Sequence, residues 1–270
     1  MKGFLLSLRS EFFKSRKTLG FWAAIIMPFA ICVLVCWGMY SESERIIKTP
    51  ALNGMLMWRM YSGAILNVMG FLLPFFIILV AYSVNGIEHK ADTWKTLFSL
   101  PISKWSVYAA KYFYTMLMIV MCLALFLILT IVTGNLLGML KPQMKFTEFH
   151  MEGALAMVYL KLFLSSLGIL SIQFLLSLVW SDFLKPMGIG FIATIGGMIC
   201  SAMRLTYAYL IPYSHPMMAL ESLGLRRKKD VKMQMEFYVD LFTKELYVGL
   251  VTAVVVFIAG YYIVQRKSVK

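Results

Sequence analysis

Residues 86–112 read G-I-E-H-K-A-D-T-W-K-T-L-F-S-L-P-I-S-K-W-S-V-Y-A-A-K-Y. The residues on either side, Met60 to Ile87 and Tyr112 to Leu140, carry no charge at all. Each run exceeds the roughly 20 apolar residues that span a bilayer. The charged stretch is therefore a link between two membrane spans. Its own pattern is ordered: Asp92 can cap a short helix on which Trp94, Leu97 and Phe98 stand at i, i+3 and i+4 as one apolar face. Pro101 ends that helix, because the residue before a proline is pushed out of the α region. Ser103 then caps the next helix, which continues into the following span. The result is a small amphipathic helix across the mouth of two spans. Such a shape suits docking in a partner's groove, or anchoring in the lipid interface through Trp94 and Phe98.

Uncharged runs also occur at Thr18 to Ser41, Leu162 to Ser181 and Leu246 to Gln265, with a shorter one from Pro186 to Met203. The expected fold is therefore all-α, a polytopic membrane protein with six transmembrane helices in one domain over residues 1–270. Composition agrees: 60% of the 270 residues are hydrophobic and 14% charged, where soluble domains carry about a quarter charged. No room is left for a soluble catalytic domain. Leu205 to Leu220 is also uncharged, but Pro212 and Pro216 remove backbone donors that hydrocarbon cannot replace. It reads as a broken, re-entrant segment within an outer loop of residues 204–245.

Residues 1–17 read as an interfacial helix. Phe4, Leu5, Leu8 and Phe12 share a charge-free arc, and Lys2, Arg9, Lys14, Arg16 and Lys17 fill the rest. The run that follows is too long for a signal-peptide core and reads as a retained span. Six spans put both termini on one side. With the termini inside, the inner segments hold 13 Lys and Arg, and the outer segments 12 when Lys161 is counted with its span. Five of those 12 cluster at Arg226, Arg227, Lys228, Lys229 and Lys232. Setting that cluster aside, the positive-inside rule gives cytoplasmic termini. The cluster itself reads as a solvated loop face. The net charge of +13, in a membrane setting, suits lipid headgroups rather than nucleic acid.

Catalytic machinery is not visible. Cys32, Cys36, Cys122 and Cys200 all fall within spans and read as packing residues. His89, His150 and His215 are isolated, with no metal-ligand spacing. There is no phosphate loop or G-x-S-x-G, and Gly188, Gly190, Gly196 and Gly197 read as close-approach positions within a span. No cofactor or metal is implied. The spans offer no charge pair for ion-coupled transport. Lys161, near the start of the fourth, reads either as an amine snorkelling to headgroups or as a substrate contact. The chain is expected to draw its energy from elsewhere.

Glu88, then Thr93, then Leu97, Ser99, Pro101, Ile102 and Ser103 reproduce, at those spacings, the E-x-x-x-G-T-x-x-x-L-x-S-x-P-[VI]-S pattern of type-2 ABC transporter permeases. The loop at residues 88–111 resembles that family's coupling loop, and L-R-S-E-F-F-K-S-R-K at residues 8–17 is similar to its start. The resemblance implies a non-catalytic half-transporter in a bacterial cytoplasmic membrane. Its partners would be two cytoplasmic ABC ATPase subunits, a second permease copy or paralogue, and membrane lipids. Glu88, Asp92, Thr93, Trp94, Leu97, Phe98 and Pro101 would be the positions coupled to the ATPase. Asp92 stands where the pattern has glycine. Size and opening look most like the permeases of lantibiotic and bacitracin self-protection, which expel amphipathic peptides. A secondary transporter, a membrane-embedded enzyme and a membrane scaffold are the rival readings. A companion chain with a phosphate loop separates them from an ABC permease.

Overall fold

The computed structural model describes residues 2–48, 52–99, 101–227 and 235–266. Among the described residues, the secondary structure is helical apart from one short hairpin. Helix α1 (Lys2–Ser15) leads into α2 (Leu19–Ser41), and a short α3 (Ser43–Ile47) follows. Next come α4 (Gly54–Ala91), α5 (Trp94–Ser99), α6 (Lys104–Leu140), α7 (Glu152–Val179), α8 (Leu184–Ala202), α9 (His215–Glu221) and α10 (Lys244–Arg266). Six of these, α2, α4, α6, α7, α8 and α10, are long and apolar enough to cross a membrane. The fold is a polytopic bundle of six spans.

The side chains at the helix starts explain where the spans begin. Thr18 Oγ1 accepts from the Phe21 amide (3.4 Å), Asn53 Oδ1 from Leu56 (2.8 Å) and Ser103 Oγ from Ser106 (3.2 Å). Each satisfies an amide that a helix start otherwise leaves open. Uncharged runs underestimate the helices: α4 and α6 have 38 and 37 residues, because their charged ends continue as helix beyond the hydrocarbon. Central α4 and α7 are the most enclosed spans, and α2, α8 and α10 keep much apolar surface outward. Cys32 and Cys36 pack on α6, their sulfurs 4.0 Å from Thr130 Oγ1 and 3.9 Å from the Thr133 carbonyl. Gly190 and Gly197 sit hard against Gln173 and the Tyr213–Ser214 backbone, whereas Gly188 and Gly196 face open space. The close-approach reading of these glycines therefore holds for two of the four.

At the end of the bundle remote from α1, two 3₁₀ turns (Pro142–Met144, Phe146–Glu148) pack on α6, the first also against α3 and the second also against α4. Trp58 donates its indole N–H to the Phe146 carbonyl at 2.9 Å. The Trp58, Tyr61 and Phe146 rings meet edge to face, a favoured aromatic arrangement. The proline-bearing stretch at 205–220 is broken into two 3₁₀ turns and α9. It packs among α4, α7, α8 and α10, with Tyr213 accepting a 2.6 Å hydrogen bond from Gln173. Leu220 and Met217 of α9 press on Gly70 of α4. Four residues on, Pro74 lies inside the same helix and cannot donate to the Gly70 carbonyl. A hairpin of β1 (Leu223–Arg227) and β2 (Met235–Val239) pairs antiparallel from Leu223↔Val239 to Arg227↔Met235. No sequence signal announced it. Of the basic cluster, Lys228, Lys229 and Lys232 lie outside the described residues, as do the side chains of Arg226 and Arg227.

Lys161 does not snorkel. It is fully buried, with Nζ 3.3 Å from Glu245 of α10 and donating to the Asp240 carbonyl at 2.6 Å. The expectation of a bundle without charge pairs is thereby overturned. Lys161 and Glu245 are 84 positions apart in sequence, and only the contact between α7 and α10 brings them together.

Candidate coupling site beneath the loop helix

The loop at residues 88–111 is organised around a second, larger set of buried charges. It begins in α1, where Gly3, Ser7, Glu11 and Ser15 recur every four residues. That stripe of one small or polar residue per turn lies against α6 and brings the helices close. Gly3 approaches Ile102 and Ser106, and Phe4 meets Phe113 edge to face at 5.9 Å. The charge-free arc expected of α1 is thus divided. Leu8 packs on the core, whereas Leu5 and Phe12, together with Leu6 and Phe13, stay exposed. The helix thus has one face packed on protein and an apolar face left exposed.

Glu11, on the inward stripe, faces Lys111 of α6 at 2.9 Å. The same ammonium lies 2.5 Å from Glu88 of α4 and donates to the Val84 carbonyl at 3.1 Å. Lys14 closes the group at 3.0 Å from Glu88 and 3.5 Å from Glu11. Two carboxylates and two ammonium groups sum to zero charge. Glu11, Glu88 and Lys111 are almost fully buried, and the Lys14 side chain remains 32% exposed. Burial alone would lower the Lys14 pKa, but Glu11 and Glu88 together outweigh it and raise it above its ordinary value. A neutral, hydrogen-bonded cluster is the arrangement in which buried charges are tolerated.

The loop helix sits on this cluster. Asp92 ends α4 in the left-handed conformation, φ 49°. It therefore closes the preceding helix rather than capping α5, as the sequence led us to expect. This is the conformation in which glycine carries no Cβ penalty, and Asp is one of the few residues that adopt it readily. The Thr93 amide returns to the Glu88 carbonyl at 3.1 Å, and the Thr93 carbonyl accepts the first α5 bond, from Leu97 at 2.9 Å. Trp94 then turns inward. Its ring lies 5.7 Å from the Lys111 ammonium, a cation–π distance. Its indole N–H donates to His89 Nδ1 at 3.1 Å. Because indole nitrogen only donates, His89 Nδ1 is an acceptor here, and Nε2–H donates to the Ser177 carbonyl of α7 at 3.1 Å. One side chain of α5 thus reaches α4, α6 and α7.

Asp92, Thr93 and Thr96 are exposed. Leu97 is half-buried and lines a groove of about 400 Å³ with Leu6, Arg9, Phe13 and Ile102. Pro101 follows α5 at the turn into α6. The Phe98 side chain lies outside the described residues. Of the residues singled out from sequence, Glu88, Asp92, Thr93, Trp94, Leu97 and Pro101 come together at one end of the bundle. Sequence reasoning missed Glu11, Lys14, His89 and Lys111. Glu11 and Lys14 stand in the opening stretch quoted above and Lys111 in the loop, but their pairing spans up to 100 positions.

Comparison with the curated proteins and with the solved structures returns no match. A family model described as ABC-2 family transporter protein matches residues 7–197. The match runs from α1 to within α8 and so contains the charge cluster and the loop helix seated on it. It takes in well over half of the chain, and on that ground the chain belongs to the ABC-2 family of transporter proteins, as a multi-pass membrane member.

Proposed function

We propose that this chain is the permease subunit of an ATP-binding cassette exporter, with ATP hydrolysed on separate cytoplasmic subunits docked beneath α5. The observation that carries the reading is the seating of α5. Its Trp94 reaches Lys111 and His89, and through them three spans and α1, so that displacing α5 disturbs several elements together. The groove between α1 and Leu97 supplies an outward face of mixed apolar and basic character for the partner. In this reading Leu97, Thr93 and Asp92 meet the ATPase, Trp94 and Glu88 carry its movement inward, and Phe98 and Pro101 complete the loop.

The termini are cytoplasmic, in a bacterial inner membrane. A second copy or paralogue covers part of the apolar surface left by α2, α8 and α10. The substrate is hydrophobic or amphipathic and leaves through the dimer interface. An antimicrobial peptide, as in lantibiotic and bacitracin self-protection, is the narrower proposal. The buried charges favour a joint over an ion relay: each has its counter-charge within 3.5 Å.

The test is co-purification with the ATPase encoded alongside the permease. Leu97→Asp is expected to lose the ATPase. Trp94→Ala is expected to keep it but to lose substrate-stimulated ATP turnover. Unchanged association and turnover in both variants would sink the coupling role.

A further inference from the structure

A cleft of about 580 Å³ opens at the α1 end of the bundle, between the start of α2 and the residues preceding α8. Its rim carries Lys14, Lys17 and Lys90, and its walls are Leu19, Leu79, Ile87, Tyr82 and Phe183. The Tyr82 and Phe183 rings lie 4.6 Å apart and form one side. Among the described residues, no acidic side chain lines it. Lys14 is already matched by Glu88 and Glu11. Lys17 and Lys90 are exposed and, among the described residues, have no acidic side chain within ion-pair distance. The cleft therefore holds two uncompensated positive charges above an apolar floor, with the positive end of α2 opening beside them.

We propose that this cleft binds one anionic phospholipid from the leaflet on the α1 side, with its phosphate between Lys17 and Lys90 and an acyl chain along Leu79, Tyr82 and Phe183. The commitment to a lipid, rather than a soluble anion, rests on the surroundings. Leu19, Trp22, Leu184 and Met187 beside the opening are exposed apolar residues on two spans, so the mouth meets the acyl chains as well as the headgroup layer. Basic pockets between spans are a recurring recognition mode for anionic headgroups. Lys14 belongs both to the rim of this cleft and to the cluster beneath α5, which places the lipid directly beside the candidate coupling site. The binding claim does not depend on the export reading, because it concerns the permease alone.

The experiment is native mass spectrometry of the purified full-length chain titrated with phosphatidylglycerol or phosphatidylcholine. The natural chain is expected to prefer phosphatidylglycerol by about 10- to 30-fold, the scale that two lysines near a lipid phosphate produce. Lys17→Gln/Lys90→Gln is expected to reduce that preference to about two-fold. Lys104→Gln/Arg266→Gln, on the same side of the bundle, is expected to retain it. Inorganic phosphate at millimolar concentration should not displace the lipid. Equal binding of both lipids, equal loss in the two double variants, or displacement by phosphate would overturn the proposal.

Discussion

Lys111 makes three contacts with its one ammonium group, to Glu11, Glu88 and the Val84 carbonyl. Removing it leaves two buried carboxylates to share the single ammonium of Lys14, one negative charge short of a partner. Lys111→Met is therefore expected to destabilise the bundle by about 3–5 kcal/mol, the usual cost of orphaning a buried charge. Adding Glu11→Gln and Glu88→Gln should recover part of that loss; a thermal melt in detergent checks both. Asp92 permits a finer test. At φ 49° a β-branched residue meets the left-handed penalty, so Asp92→Val should cost about 1–2 kcal/mol, while Asp92→Gly should be neutral or stabilising by the same measurement. The loop motif marked this position because glycine was missing from it. No motif could mark Glu11, since a lone carboxylate on an amphipathic helix reads as solvated until α6 is placed beside it.

Among the elements, the spans were the easiest to read, because each interrupts the charge pattern for a bilayer's width. Their ends were the hardest, since helix continues after hydrocarbon stops, and it is there that Glu88, Lys111, Lys161 and Glu245 find partners. The segment around α9 was legible as a break through Pro212 and Pro216, but its docking was not. His215, at the start of α9, is buried, hydrogen-bonds the Tyr209 carbonyl through Nε2 (2.9 Å) and leaves Nδ1 unpartnered. Burial lowers its pKa below the ordinary 6.5, against smaller opposing effects of the Tyr209 carbonyl and Glu245. The unfolded chain thus binds a proton more readily, and His215 favours the fold fully only above pH 6.5. That contribution falls as pH drops through 6.5 towards the lowered value. Hydrogen-exchange protection of residues 208–221 should accordingly weaken between pH 7.5 and 5. In His215→Asn the change should flatten.

The assembled transporter is a question of stoichiometry. One permease leaves the outer surfaces of α2, α8 and α10 apolar, with Trp37, Ile192 and Val251 each more than 60% exposed. Lipid can cover such surface as well as protein can, so exposure alone fixes no partner. The proposed function does, and native mass spectrometry of the co-expressed complex is expected to give two permeases and two ATPases. A one-to-one complex would remove the dimer from the proposal. The contact at Gly70 bears on how such an assembly moves. Pro74 deprives α4 of the backbone bond that would stiffen it at Gly70, and Leu220 of α9 occupies the space that Gly70 leaves. The proline-interrupted part of α4, the longest described helix, thus has α9 packed against its side. A flexure of α4 towards α9 has to push Leu220 out of that space, so unlatching the α9 segment and hinging the span would be a single motion.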